Sequence, residues 1–343
     1  MLPQVSNWGR TVAMPEKALT GVVLAAGVGT RLRPLTFTRP KPLLPVAGQT
    51  LLDHNLAKLA RAGAREAIVV VAAGDRAIPR ALGRERFGMR IRCVAQPEPK
   101  GTGHALSLVA RFVCGTFLLN FSDNVTAWDM SKLLTRHRRT GACATLALFH
   151  AADPRRHGIA QVSGGRIVRL VEKPEHPATD LASAGMFVFA PIIFEALGHL
   201  VDTGGEMHIV DAVQHLIDQG QRVSYSVLNV WRRNVNTPSD LLEANRKLLA
   251  SMPLALRRKA AKGPGCRIER GAVVGADVSM GPLCHIRRGA LVRDSILLAG
   301  VVLGEGSNVR GCILGERSRV ADGVALRGVV LGDREVALAD RSG

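Results

Sequence analysis

From residue 268 onward, aliphatic side chains recur at a nearly fixed interval. Ile268, Val274, Met280, Ile286, Val292 and Leu298 stand six apart, and the series continues, with some steps of five, at Leu303, Val309, Leu314, Val320, Leu326 and Leu331. Glycine often follows, as in Val274-Gly275, Met280-Gly281, Leu303-Gly304 and Leu314-Gly315. This is the pattern of a left-handed parallel β-helix of hexapeptide repeats, with an aliphatic residue at each inward corner and three hexads to a coil. The twelve positions predict about four coils. A solenoid of this kind buries its core by stacking and leaves an end exposed, so a role in homo-oligomerisation is expected.

Upstream the regime differs. Up to about residue 250, short apolar runs at 22–26, 67–73, 91–95, 117–121 and 144–149 alternate with amphipathic stretches. One such stretch is 51–62, with Leu52, Leu56 and Leu59 on one helical face. The alternation predicts an α/β domain, a doubly wound, mostly parallel sheet with helices on both sides and ligands at the carboxyl ends of its strands. Thr237, Pro238 and Asp240 read as the N-cap, first turn and capping acid of a helix. Lys262-Gly263-Pro264-Gly265 then reads as a linker. The expected organisation is an extension over 1–19, an α/β domain over 20–252 and a β-helix over 263–335. Residues 1–13 offer little to bury beyond Val5, Trp8 and Val12, so they are expected to be disordered, and Met14 is an alternative start.

The net charge of +18, from 46 Lys and Arg against 28 Asp and Glu, favours anionic partners. The basic residues are dispersed, with no recognition helix and no aromatic-basic stretch, so no specific nucleic acid is expected. No apolar run approaches membrane-spanning length, and the first twenty residues have no apolar core of a secretory signal, so no membrane partner and a cytoplasmic location are expected. The cysteines, at 93, 114, 143, 266, 284 and 312, form no CxxC pair and are expected mostly as small buried hydrophobes.

The chemistry concentrates after the first strand, in Leu24-Ala25-Ala26-Gly27-Val28-Gly29-Thr30-Arg31-Leu32. Its glycines let backbone N–H groups approach phosphate oxygens, and Arg31 adds a guanidinium fork matched to phosphate. The spacing is neither a Walker A loop nor GxGxxG, and alone a glycine turn after a strand is more often an ordinary tight turn. Arg39-Pro40-Lys41-Pro42-Leu43-Leu44-Pro45-Val46 follows shortly. Phe121-Ser122-Asp123-Asn124 ends a strand with a carboxylate, which is either a ligand for a hard cation or a turn former.

With both amino-terminal pieces present, the chain resembles the sugar-phosphate nucleotidyltransferases, the NDP-sugar pyrophosphorylases. The resemblance implies a reaction between a sugar 1-phosphate, glucose 1-phosphate first among them, and UTP or dTTP, giving an NDP-sugar and pyrophosphate. It implies that Leu24, Ala25, Ala26, Gly27, Gly29 and Thr30 wrap the triphosphate, while Arg31 and Lys41 neutralise its charge. Gln96-Pro97-Glu98-Pro99-Lys100-Gly101-Thr102-Gly103 resembles the segment that reads the base; Gln96 can pair with a pyrimidine edge, Gly101 allows close approach, and Thr102 belongs to the same contact. Asp123 is implied to bind Mg²⁺. His157-Gly158 and Val171-Glu172-Lys173-Pro174 resemble sugar-contacting elements, in which Gly158 and Glu172 meet the sugar and Lys173 its phosphate.

The chain departs from the family pattern at two sites. Ser183 stands where the family has Asn for a sugar contact, and Asn234, in Trp231-Arg232-Arg233-Asn234, stands where a second metal-binding Asp is usual. The rivals to the main reading are a bifunctional N-acetylglucosamine-1-phosphate uridylyltransferase and acetyltransferase relative, and a regulatory homologue that binds nucleotide-sugar without turnover. The short β-helix speaks against the first, and intact Arg31, Lys41, Asp123 and Lys173 speak against the second.

Overall fold

The strand Thr20–Leu24 is buried along its whole length because both faces of its sheet are covered. Val22 and Leu24 pack into one core with Ile68 and Val70, and Val23 and Ala25 into a second with Val69 and Val71. Alternate side chains point to opposite faces, so a run of consecutive aliphatics is what a doubly covered strand requires. The helices Gly101–Ser107, Ile192–Gly198 and Ile209–Asp218 contribute to the first core, and Leu51–Arg61 and Ser131–Thr140 to the second. Leu52, Leu56 and Leu59 are fully buried, and Thr50 and Asp53 close a capping box at the start of their helix. The computed structural model describes residues 18–200 and 205–343, so the expectation of disorder over 1–13 lies outside the described residues.

The sheet has ten strands. Thr20–Leu24 lies parallel to Glu66–Ala72 and Phe117–Phe121, and Glu66–Ala72 parallel to Met89–Gln96. Beyond Phe117–Phe121 the order turns antiparallel through Leu181–Phe189, Gly158–Ser163 and Arg166–Glu172. The domain therefore has a parallel half like a nucleotide-binding fold and an antiparallel half beside it, joined between Asn120 and Met186. Leu181–Phe189 is irregular between Ser183 and Phe187. Within that stretch Gly185 has φ of 70°, and a Cβ there would lie 2.8 Å from the Phe121 ring.

The C-terminal strands form three parallel sheets, the faces of the left-handed β-helix. One corner runs Ile268, Ile286, Leu303, Val320 and Ala337. Another runs Val274, Val292, Val309 and Leu326, and the third Met280, Leu297, Leu314 and Leu331. The expected inward residue Leu298 is corrected by this register: Leu297 pairs with Met280 and fills the coil. The five-residue step thus falls between Val292 and Leu297. Leu298 points outward and is buried against the first domain with Leu44, Val235 and Leu241. Ile268, on the first coil, is 37% exposed, as the open end of a stack should be.

The two domains are joined by more than the linker. Arg39 reaches Asp333 at 2.7 Å and Glu316 at 3.1 Å, and Thr38 donates to Asp333 at 2.6 Å. Asn245, on the helix Pro238–Ser251, donates to the Asp277 carbonyl and accepts from Ser279. Of the cysteines, Cys284 and Cys312 are buried, Cys93, Cys143 and Cys266 partly so, and Cys114 is exposed, which corrects the expectation of mostly buried thiols. Among the described residues no helix is long and apolar enough to cross a membrane.

Candidate active site

Two adjoining cavities, each of about 260 Å³, open side by side, one at the carboxyl ends of the parallel strands and the other over the antiparallel half. They share Gly101, Thr102, Phe121 and Glu206 as a common wall. A larger cavity of about 660 Å³, near His54 and Lys58, holds none of the residues expected to carry chemistry.

The first cavity is floored by Leu24, Ala26, Gly27, Lys41, Gln96 and Asp123. Gly29 sits at φ of 68°, and a Cβ there would lie 2.8 Å from the Lys41 Cβ. The glycine loop is thereby pressed onto Lys41, which is 7% exposed. The Lys41 ammonium donates to Asp123 Oδ2 and to Asn236 Oδ1, both at 2.8 Å. Gln96 is held by hydrogen bonding of its Nε2 with the Gly101 carbonyl at 3.2 Å and His104 Nδ1 at 3.3 Å. Gly101 has φ of 91°, and a Cβ there would collide with the Met207 carbonyl, which accepts from Gly103 at 2.7 Å. Thr102 Oγ1 accepts from the Ile209 amide at the start of the helix Ile209–Asp218.

Not every expected residue reaches this cavity. The Ala25 side chain is buried on the opposite side of the sheet, and its amide donates to the Val70 carbonyl within the sheet. Thr30 and Arg31 are exposed on the loop and line neither cavity.

The second cavity gathers Gly158, Glu172, Lys173, Ser183, Arg232 and Asn234. Gly158 is required by packing, since a Cβ would lie 2.7 Å from Val210 and 3.1 Å from Glu172 Oε2. Lys173 has φ of 43° and its ammonium stands 3.6 Å from Glu172. Its amide donates to the His157 carbonyl, tying the two elements together. Burial, with Arg232 and Arg156 nearby, lowers the His157 pKa, so the ring is neutral at neutral pH.

Sequence reasoning placed Asn234 beside Asp123 as a metal ligand, but in this structure Asn236 is the amide that shares Lys41 with it. Asn234 Oδ1 instead accepts from Arg232 at 2.8 Å. Both lie on or next to the short strand Arg232–Asn234, which pairs antiparallel with Asn124–Thr126, and side chains two apart point the same way only while the strand continues. Asn55, Asn120 and Asn124 were also missed. They form a buried chain behind Asp123: Asn120 donates to Asn55 at 2.6 Å, Asn55 to the Ser122 carbonyl and Asn124 to the Ala184 carbonyl. Three asparagines in otherwise apolar segments were the available signal.

Among the described residues no three His, Cys, Asp or Glu side chains gather into a metal-binding group. The donor set at the seam is one carboxylate, Asp123, and two amides. Mg²⁺ is commonly held by one or two carboxylates with substrate phosphates completing its shell, so Asp123 fits such an ion. Asn234 fits less well, its oxygen being taken by Arg232.

A profile of the nucleotidyl transferase family matches residues 20–251, and one of the GMPPB C-terminal domain matches 257–342. A glucose-1-phosphate thymidylyltransferase of Streptomyces griseus is 32% identical over 89% of this chain and 83% of its own length. A mannose-1-phosphate guanylyltransferase of Mycobacterium tuberculosis is 31% identical over 86% and 78%. A crystal structure from Bacillus anthracis, assigned as a glucose-1-phosphate thymidylyltransferase in complex with a sucrose, superposes with a TM-score of 0.64 at 25% identity over 69% of this chain and 97% of that one.

Proposed function

The chain belongs to the nucleotidyl transferase family, and from that premise we propose that it joins a sugar 1-phosphate to UTP or dTTP, releasing pyrophosphate. The observation that carries this reading is the pair of cavities sharing one wall, with Lys41 and Asp123 in one and Lys173 in the other. A phosphate oxygen of the sugar attacks the α-phosphorus; the new P–O bond forms as the bond to the bridging oxygen of pyrophosphate breaks. The triphosphate lies along Leu24, Ala26, Gly27 and Gly29, with the Ala25 side chain and Thr30 outside the cavity, and Lys41 meets its charge. Arg31, exposed on the same loop, takes the outer phosphates.

Gln96 reads a pyrimidine edge, with Gly101 and Thr102 alongside, which favours uracil or thymine. Glucose 1-phosphate is the first choice of sugar, contacting Gly158, Glu172 and Ser183, with its phosphate on Lys173. Asp123, with Asn234 or the neighbouring Asn236, would hold Mg²⁺, which when bound neutralises charge on the triphosphate oxygens. Positioning and electrostatics supply most of the rate in such a transfer.

Pyrophosphate release measured for each nucleoside triphosphate against glucose, mannose and N-acetylglucosamine 1-phosphates tests the reading. The highest turnover is expected with UTP or dTTP and glucose 1-phosphate. Preference for GTP with mannose 1-phosphate would overturn the choice of base and sugar. Absence of turnover with every pair would overturn the reaction.

A further inference from the structure

Two consecutive arginines on the short strand Arg232–Asn234 have opposite surroundings. Arg233 is paired with Glu243 and stands 3.7 Å from Asp240. Arg232 lines the cavity of Glu172 and Lys173. Its guanidinium lies over the Phe149 ring, 4.1 Å from the centroid. Nε donates to the Ala184 carbonyl at 3.2 Å and Nη2 to Asn234 Oδ1 at 2.8 Å. The ring and the two acceptors fix the plane of the group. Among the described residues no carboxylate is within ion-pairing distance of it, and two of its five N–H donors are engaged.

Burial holds the Arg232 pKa down to about 10, against the raising effect of Asp123 and with some further lowering by Arg233, so the group is charged at neutral pH. The carboxylate that influences it, Asp123, is already held by Lys41 at 2.8 Å. A half-buried cation with no counter-ion of its own is costly to keep, and a planar fork with free donors is suited to a phosphate. Its cavity adjoins the one over Lys41, so an anion at Arg232 would face the triphosphate side.

We propose that Arg232 is a substrate-binding residue that grips the phosphate of the sugar 1-phosphate, opposite Lys173, and orients it toward the nucleotide; this rests on the reaction proposed above. The preorganised fork makes the site ready before the ligand arrives. It also accounts for Asn234: an amide oxygen orients the guanidinium without forming the ion pair that a carboxylate there would form, which would occupy the fork.

The test is equilibrium binding of glucose 1-phosphate, mannose 1-phosphate and N-acetylglucosamine 1-phosphate to the full chain in EDTA, for the wild type, Arg232→Met and Arg232→Lys. Arg232→Met should weaken the best of the three roughly ten- to a hundredfold, with Arg232→Lys recovering part of the loss. UTP and dTTP affinities should change less than about threefold, which a merely structural role would not predict. Inorganic phosphate should compete with the sugar 1-phosphate in the wild type and lose that effect in Arg232→Met. Unchanged binding in Arg232→Met, or an equal loss for the triphosphate, overturns the proposal and leaves the reaction standing. A wild-type chain that binds none of the three sugar phosphates sinks both.

Discussion

Inside the β-helix the buried cluster is made of aliphatic side chains, alanine, methionine and cysteine, and the buried polar groups are the hydroxyls of Ser279, Ser295, Ser307 and Ser318. The first domain buries Lys41, Asn55, Lys58, Gln96, Asn120 and Asn124 as well, most of them converging behind the cavities. In the solenoid each coil repeats the contacts of the last, so stability is shared among near-equivalent positions. In the first domain single polar groups hold single positions, and each unpaired one would be expensive. The contrast teaches where function resides: the ammonium and amide groups buried in the first domain stand mostly near the cavities, whereas the polar groups buried in the β-helix are serine hydroxyls. The β-helix joins in through one outward face, where Ile296, Leu298 and Ile313 pack on the first domain and Asp333 and Glu316 hold Arg39, two residues before Lys41.

The sharpest way to break this contrast is at Lys41. Lys41→Ala should lower turnover by roughly two to three orders of magnitude, as expected when a charge-stabilising donor is lost. Asp123→Asn should do the same and raise the Mg²⁺ concentration needed for half-maximal rate. Pyrophosphate release across a Mg²⁺ titration measures both, and turnover within tenfold of wild type in Lys41→Ala would remove that residue from the mechanism.

In the β-helix the largest effect should be on stability alone. Leu314 is fully buried in the stack. Leu314→Ala should cost about 2–5 kcal/mol in chemical denaturation, with both KM values unchanged. A shift in the KM for the triphosphate would show that the repeat sets the geometry of the cleft.

Lys58 separates burial from catalysis within the first domain. Burial, with Arg61 and Arg232 adding to it, lowers its pKa from 10.5 to about 7, and its ammonium donates to the Asn124 carbonyl at 3.3 Å. Between about pH 7 and pH 10 the unfolded chain therefore binds more protons than the folded one, and stability should rise with pH across that window by roughly a few kcal/mol. Lys58→Met should flatten the rise in denaturation curves; an unchanged slope would assign it to another group.

The smallest effect should come at the junction. Replacing Glu316 and Asp333 together by Gln and Asn should cost about 1–3 kcal/mol and reduce turnover severalfold, because Arg39 is freed next to Lys41. Burial raises the Asp333 pKa, but hydrogen bonds from Thr38 and Arg39 outweigh it and leave it lowered. This tie is therefore present above the ordinary aspartate range and fades as pH falls through the lower folded value. Turnover equal to wild type in the double variant would confine the β-helix to a role outside the cleft.

The sequence by itself determined what depends on local periodicity. Consecutive aliphatics at 22–26 and 67–73 sufficed for doubly covered strands, Thr237 and Asp240 for a capping box, and the hexad for a three-faced coil, since each follows from backbone geometry over a few residues. It also brought Lys41, Gln96, Asp123, Gly158, Glu172 and Lys173 to two adjoining cavities, through motifs at the ends of strands of one sheet and, for Lys41, a short helical turn. Tertiary structure alone decided which residue takes the five-residue step, because Leu297 and Leu298 are equally apolar and the choice depends on what lies outside the coil. It alone set Asn236 against Lys41 and turned Arg232 into a cavity while Arg233 faced Glu243. Those choices depend on how residues 231–236 lie against 123–126 and 41, segments distant in the chain, and no spacing along a sequence encodes the angle at which two such segments meet.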